Sequence, residues 1–225
     1  MGERLQGKRV LVTSCDSYMG PAITELFRAE GAELHADPGD LVGPDAPAAL
    51  IDSVGPVDVV VANLDLAAYS ARVRDIEDGP WLEGFDAMVH PLMRLVRAAA
   101  QPMIDHGGGS IIAVTSSSPL RRMKPYATSY VTARAAQNAF VRSAGHELAG
   151  HNVRLNAIAQ NFVANETYYP PSIMENEKFV AKLDAEVPAK RLGEPSETAE
   201  LALFLASDAA SFIAGQIISS DGGWS

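Results

Sequence analysis

Tyr130 and Arg134 stand four residues apart, a spacing that puts both side chains on one face of a helix. A phenol, with an ordinary pKa near ~10, is a poor base at neutral pH. A guanidinium beside it favours the ionised form and so makes it a better one. Arg134 stays protonated, so it can hold charge at such a site but cannot relay a proton. Upstream, Ser110-Ile-Ile-Ala-Val-Thr-Ser-Ser-Ser118 is a short apolar run that ends in three serines. A serine hydroxyl at a strand end can hold the oxygen of a small substrate while the tyrosine takes its proton. The chemistry these residue types offer is proton abstraction from a hydroxyl.

Something must position them, and the pattern of the whole chain says what. Strand-like runs at 9–13, 33–36, 57–62, 110–115, 153–158 and 216–219 are apolar on both faces, as in a parallel sheet buried on both sides. Helical patterns fall between them at 21–30, 84–106, 129–149 and 197–206, the last with Ser196 as its expected N-cap. Alternating strands and helices predict a single-domain α/β fold over residues 1–225, a doubly wound, Rossmann-like parallel sheet with helices on both faces. The Pro-rich stretch 38–47 reads as a surface loop with room for a brief strand.

Such a sheet ordinarily carries a dinucleotide above its first strand–helix turn, where glycines let the backbone approach a pyrophosphate. Here the turn is Thr13-Ser-Cys-Asp-Ser-Tyr-Met-Gly20, and only Gly20 remains. Ser14 and Tyr18 occupy the positions that call for glycine, and the role of glycine there is steric. The expectation is that Tyr18 builds a different pocket and that no nucleotide cofactor is used. Asp37, after the second strand, reads as a loop aspartate.

The set Ser-(about twelve)-Tyr130-x-x-x-Arg134 resembles the signature of the short-chain dehydrogenases/reductases, in which lysine stands at the arginine position. The run Arg191-Leu-Gly-Glu-Pro195, Phe204-Leu-Ala-Ser-Asp208 and Asp221-Gly-Gly223 is similar to that superfamily too. Arginine for lysine, the lost glycines, and Thr13, Tyr18 and Gly20 in the first turn together resemble the halohydrin dehalogenases of that superfamily. After the fifth strand-like run, Asn156-Ala-Ile-Ala-Gln-Asn-Phe-Val163 has Gln160-Asn161 where dehydrogenases read Pro-Gly. The resemblance makes this loop a halide site and implies a halide and substrate pocket of Tyr18, Gln160, Asn161, Phe162, Val163 and Tyr169, with Tyr168 in the same wall. Two positions depart from the family pattern. Gln160 stands where some members carry proline, and Leu64, after Asn63, where some carry an acid.

What the resemblance implies is a carbon–halide lyase. It converts vicinal haloalcohols to epoxides with release of halide and a proton, and opens epoxides with small anions such as azide, cyanide or nitrite. It needs no cofactor and no metal. The catalytic serine is left between Ser116 and Ser117. Counting back from Tyr130 gives Ser117; strand alternation, in which a one-residue slip flips the face, favours Ser116. Two other readings stay open: an NAD(P)-dependent reductase with a divergent phosphate loop, and a non-catalytic oligomeric binding module.

Composition bounds the partners. A net charge of −10 argues against nucleic acid or an anionic membrane surface. One cysteine, Cys15, excludes an intramolecular disulfide and suits a reducing compartment. With no signal-peptide pattern and no apolar run long enough for a membrane span, the expected location is cytoplasmic. The family habit is a homotetramer, and the faces of 84–106 and 129–149, rich in Ala, Met and Leu, suit a two-fold interface. Trp224 is placed by sequence either in its own chain's core or at a neighbouring site. Substrate shape is left to the loops at 64–74, 120–128 and 164–179.

Overall fold

A computed structural model of the chain describes residues 3–121 and 126–225. Residues 122–125, in the middle of the 120–128 loop named above, and residues 1–2 lie outside the described residues. Six parallel strands, β1 (Arg9–Thr13), β2 (Glu33–Asp37), β3 (Val59–Asn63), β4 (Gly109–Ser116), β5 (Val153–Gln160) and β6 (Ile217–Ser220), form one sheet in the order β2-β1-β3-β4-β5-β6. The chain runs outward from β1 to β2, then returns to the other side of β1 at β3. This reversal leaves a crevice at the carboxyl ends of β1 and β3, where such sheets hold ligands.

Alternation along each strand divides the core. Val10, Val12, Ile112 and Val114 face helices α1 (Gly20–Ala29) and α7 (Pro195–Ala206). Leu11, Val60, Ile111 and Ala113 face α2 (Ala46–Val54), α4 (His90–Asp105) and α5 (Thr128–Ala149). Two shorter helices, α3 (Asp78–Gly84) and α6 (Glu177–Glu186), lie beyond the carboxyl ends of the strands they follow. No helix among the described residues is long and apolar enough to cross a membrane.

Several boundaries differ from the sequence reading. Residues 38–45 contain no strand; Pro38, Gly39, Gly43 and Pro44 break extended pairing, and α2 starts at Ala46. The segment 84–106 is interrupted. A five-residue π-turn, Phe85–Val89, precedes α4, and Pro91 in the first turn of α4 has no N–H to give the carbonyl of Ala87. Helix α7 is capped by Glu194 rather than Ser196. Pro195 takes the first helical position, and Glu197 reaches back to accept the Glu194 N–H at 2.8 Å while Arg191 forks onto both its oxygens at 2.7 Å.

Helix α5 delivers the functional side chains. Its buried positions Ala133, Arg134, Gln137, Asn138, Val141, Gly145 and Leu148 form one stripe toward the sheet. Gly145 sets the depth at which it docks. A Cβ there would lie 2.6 Å from Gly215 Cα and 2.7 Å from the Leu155 carbonyl oxygen. Gly145→Ala is expected to cost about 2 kcal/mol or more through this backbone clash. Urea denaturation measures it, and unchanged stability would contradict so close an approach.

Candidate active site

All the candidate residues come from the carboxyl ends of β1, β4 and β5, the first turns of α5 and the loop after β5. Arg134 is the deepest of them, with none of its surface exposed. Its Nε–H donates to Tyr130 Oη at 3.2 Å. Nη1 donates to the carbonyl of Leu64 at 3.0 Å, to Gln137 Oε1 at 3.0 Å and to the carbonyl of Val114 at 3.4 Å; Nη2 donates to Tyr168 Oη at 3.3 Å. The rings of Tyr130 and Tyr18 lie 5.3 and 6.0 Å from its Cζ. Among the described residues no carboxylate pairs with it. Leu64, where an acid stands in some dehalogenases, contributes only its backbone oxygen. Burial by itself pulls the Arg134 pKa down. The phenol oxygens of Tyr130, Tyr168 and Tyr18 outweigh it and set the net direction upward.

Tyr130 is half-buried and opens onto a cavity of about 170 Å³. The same cavity is lined by Ser116, Tyr18, Gln160, Asn161, Phe162, Val163 and Tyr169, so the sequence-derived pocket residues are brought together. Arg134 stands behind Tyr130 rather than in the lining. The two serines separate. Ser116 lines the cavity, accepts the Ser118 N–H at 3.1 Å and donates to Ser118 Oγ at 2.9 Å. Ser117 is fully buried outside the lining, its hydroxyl unpartnered among the described residues.

The loop after β5 forms the floor. Phe162 adopts the left-handed region (φ 52°), and its N–H donates to Asn161 Oδ1 at 2.9 Å. Tyr169 Oη donates to the same oxygen at 2.8 Å and its ring stacks on Phe162 at 5.3 Å. Asn161 therefore spends its oxygen inside the loop, and its Nδ2 makes no hydrogen bond among the described residues. Gln160 lines the cavity with its amide oxygen turned away, accepting from Thr198 Oγ1 at 2.9 Å. The loop is anchored across the crevice: Thr167 Oγ1 donates to Asp65 at 2.7 Å and Tyr168 Oη to the Leu66 carbonyl. Burial pushes the phenols of Tyr18, Tyr168 and Tyr169 up, so these three remain protonated walls.

Six lining residues escaped the sequence reading of the pocket: Ser118, Ala127, Asn165, Lys182 and Trp224, and Ala68 of the loop after β3. Trp224 belongs to its own chain's cavity. Asp221 accepts the N–H groups of Gly223, Trp224 and Ser225 at 3.1 Å, and Arg121 donates to the Trp224 carbonyl at 2.6 Å. The nearest sequence signal was Asp221-Gly-Gly223, which tightens this tail.

With this geometry in view, the chain was compared with known proteins. A family model described as "Enoyl-(Acyl carrier protein) reductase" matches residues 6–225. This chain belongs to the short-chain dehydrogenase/reductase superfamily. It is 34% identical to a galactitol 2-dehydrogenase (L-tagatose-forming) of Cereibacter sphaeroides, over 96% of this chain and 84% of that protein. It is 30% identical to a 3-oxoacyl-[acyl-carrier-protein] reductase of Thermotoga maritima, over 98% of each. Among solved structures, one titled "Dehalogenation enzyme" superposes with a TM-score of 0.91 at 30% identity, covering 99% of this chain and 100% of that one. A short-chain type dehydrogenase/reductase of Mycobacterium ulcerans superposes equally well (0.91) at 24% identity, a likeness of fold alone.

Family membership implies a nicotinamide dinucleotide, and the residues of this chain do not fit one. The Tyr18 ring, in left-handed backbone (φ 53°), stands over the crevice and packs edge-on against Tyr168 at 5.7 Å. The carbonyls of Ser14 and Ser17 are tied to Asn63 Nδ2 at 3.0 and 2.9 Å, closing the turn onto β3. The position that would reach a ribose is Arg134, which is sealed. The space left beside Ser14 and Ser17 is lined by Asp40 and Asp65, which oppose a pyrophosphate. NADH or NADPH at millimolar concentration is therefore expected to leave the melting temperature unchanged. A rise of several degrees in a thermal-shift assay would contradict the misfit.

Proposed function

We propose that this protein is a cofactor-independent halohydrin dehalogenase. The observation that supports it best is Tyr18. Its ring fills the crevice a dinucleotide would need and makes that space a wall of the cavity onto which Ser116 and Tyr130 open. The likeness to the "Dehalogenation enzyme" structure points the same way.

In this reading the substrate hydroxyl lies between Tyr130 Oη and Ser116 Oγ. Tyr130, ionised, takes the hydroxyl proton, and the buried Arg134 charge holds the phenolate. Ser116 turns its hydroxyl proton from Ser118 to the substrate oxygen, and Ser118 Oγ then donates to Ser116 in its place. The alkoxide oxygen forms a bond to the neighbouring carbon as the carbon–halogen bond breaks. The halide departs with the bonding electrons, toward Asn161 Nδ2 and the aromatic edges of Phe162 and Tyr18. The products are an epoxide, a halide ion and, once Tyr130 returns its proton to water, a proton. Holding oxygen, carbon and halogen in line supplies much of the rate. The same path run backwards admits azide, cyanide or nitrite as the attacking anion.

A nicotinamide-dependent reductase is the second reading, favoured by the oxidoreductase names of the sequence relatives. Variants separate the two. Halide release from a small vicinal bromo-alcohol is expected to fall at least about 100-fold in Tyr130→Phe and in Arg134→Lys, since an ammonium cannot reproduce the guanidinium's bonds. Ser116→Ala should lose far more activity than Ser117→Ala. Full activity in Arg134→Lys, or the opposite ranking of the serines, overturns the assignment.

A further inference from the structure

The mechanism uses Ser116, Tyr130, Asn161 and an edge of the Phe162 ring. Two further lining residues, Lys182 and Trp224, pack against that same ring. Lys182, on α6, sets its Nζ 5.5 Å over the Phe162 ring and makes no ion pair or hydrogen bond among the described residues. Trp224 packs 5.9 Å from the same ring with 6% of its surface exposed, and its indole Nε1–H is buried without an acceptor. Lys182 is half-buried while the indole Nε1 has no accessible surface, so Lys182 is the donor at this wall that an acceptor in the cavity can reach.

The position of Lys182 is fixed by its helix. Asn176 caps α6 by accepting the N–H groups of Lys178 and Phe179, and Leu183 anchors it in the cluster of Phe162, Val187 and Trp224. The electrostatic setting is also one-sided. The chain carries a net charge of −10, yet the cavity lining holds Lys182, has Arg134 behind it and contains no carboxylate. Glu186, one helical turn beyond Lys182, is near enough to help push the Tyr169 phenol up but does not line the cavity.

The geometry points to an anion subsite at Lys182, beside the Phe162 ring, that holds a carboxylate on the substrate. This rests on the dehalogenase reading and deepens it: the substrates are small vicinal haloalcohols that bear a carboxylate. An ammonium against an aromatic face is only partly hydrated and binds a charged oxygen more strongly than a neutral carbonyl. One cation matches the single charge of a carboxylate, whereas a phosphate presents three oxygens and more charge than the site offers.

A halogen-free probe tests the subsite apart from the chemistry. In calorimetric titration, β-hydroxybutyrate is expected to bind about tenfold or more tightly than the neutral diol in which a hydroxymethyl group replaces the carboxylate. Lys182→Gln should abolish the difference and Lys182→Arg should keep it. Equal binding of the two probes, or a difference that survives Lys182→Gln, overturns the proposal. Halide release from a bromo-hydroxy acid and its neutral counterpart is measured alongside. Lys182-dependent binding without halide release from either leaves the subsite standing and sinks the dehalogenase reading. Halide release from both without preference does the reverse.

Discussion

The site is organised around one constraint: a guanidinium wholly out of water with no carboxylate among the described residues to neutralise it. Taking such a charge from water costs several kcal/mol. Arg134 offsets this with hydrogen bonds to two backbone carbonyls, one amide oxygen and two phenols, bonds worth about 1.5–3 kcal/mol each when one partner is charged. Three of the bonds leave its own helix for three different parts of the chain. Leu64 follows β3, Val114 lies in β4, Gln137 and Tyr130 are on α5, and Tyr168 belongs to the loop after β5. The crevice of the sheet is thus closed around a cation, and the aromatic wall above it follows.

That charge also decides what can occupy the cavity. A single buried positive charge ringed by phenols favours negative charge on a neighbouring oxygen or on a departing ion. Burial pushes the phenols of Tyr18, Tyr168 and Tyr169 up, and Tyr130 is the lining tyrosine whose oxygen accepts the Nε–H of Arg134. In the short-chain dehydrogenases/reductases that this chain resembles by sequence, the corresponding cation serves a nucleotide. Here Tyr18 stands between Arg134 and the place a nucleotide would take. In the proposed reading, the same scaffold is left with a proton-abstracting phenol and an anion-accepting floor.

Much of this was legible in the sequence for physical reasons. Two-sided apolar runs gave the parallel sheet, since strands buried on both faces have little freedom in composition. The i,i+4 spacing gave the Tyr130–Arg134 contact, because helix geometry fixes it. Alternation along β4 favoured Ser116, and the structure sets Ser116 in the cavity lining and Ser117 outside it. The shorter helices α2, α3 and α6 went unread, as did the π-turn before Pro91, where a missing N–H rather than hydrophobic periodicity sets the backbone. Ser118, Lys182 and Trp224 were missed as pocket residues for a related reason. They reach the site through a 3-10 turn, an ordinary amphipathic helix and a terminal tail, none of which carries a periodic signal. Tyr168 was read as a wall, and its bond to Arg134 depends on a loop closure that spacing does not encode.

The most direct test of the account is product stoichiometry in protein stripped of all nucleotide. A vicinal bromo-alcohol is supplied, and bromide, proton and epoxide are measured together over the time course. The account predicts one of each per substrate consumed, at a rate that added NADH or NADPH does not change. No bromide release, with NADH or NADPH oxidised as a ketone substrate is reduced, would contradict it.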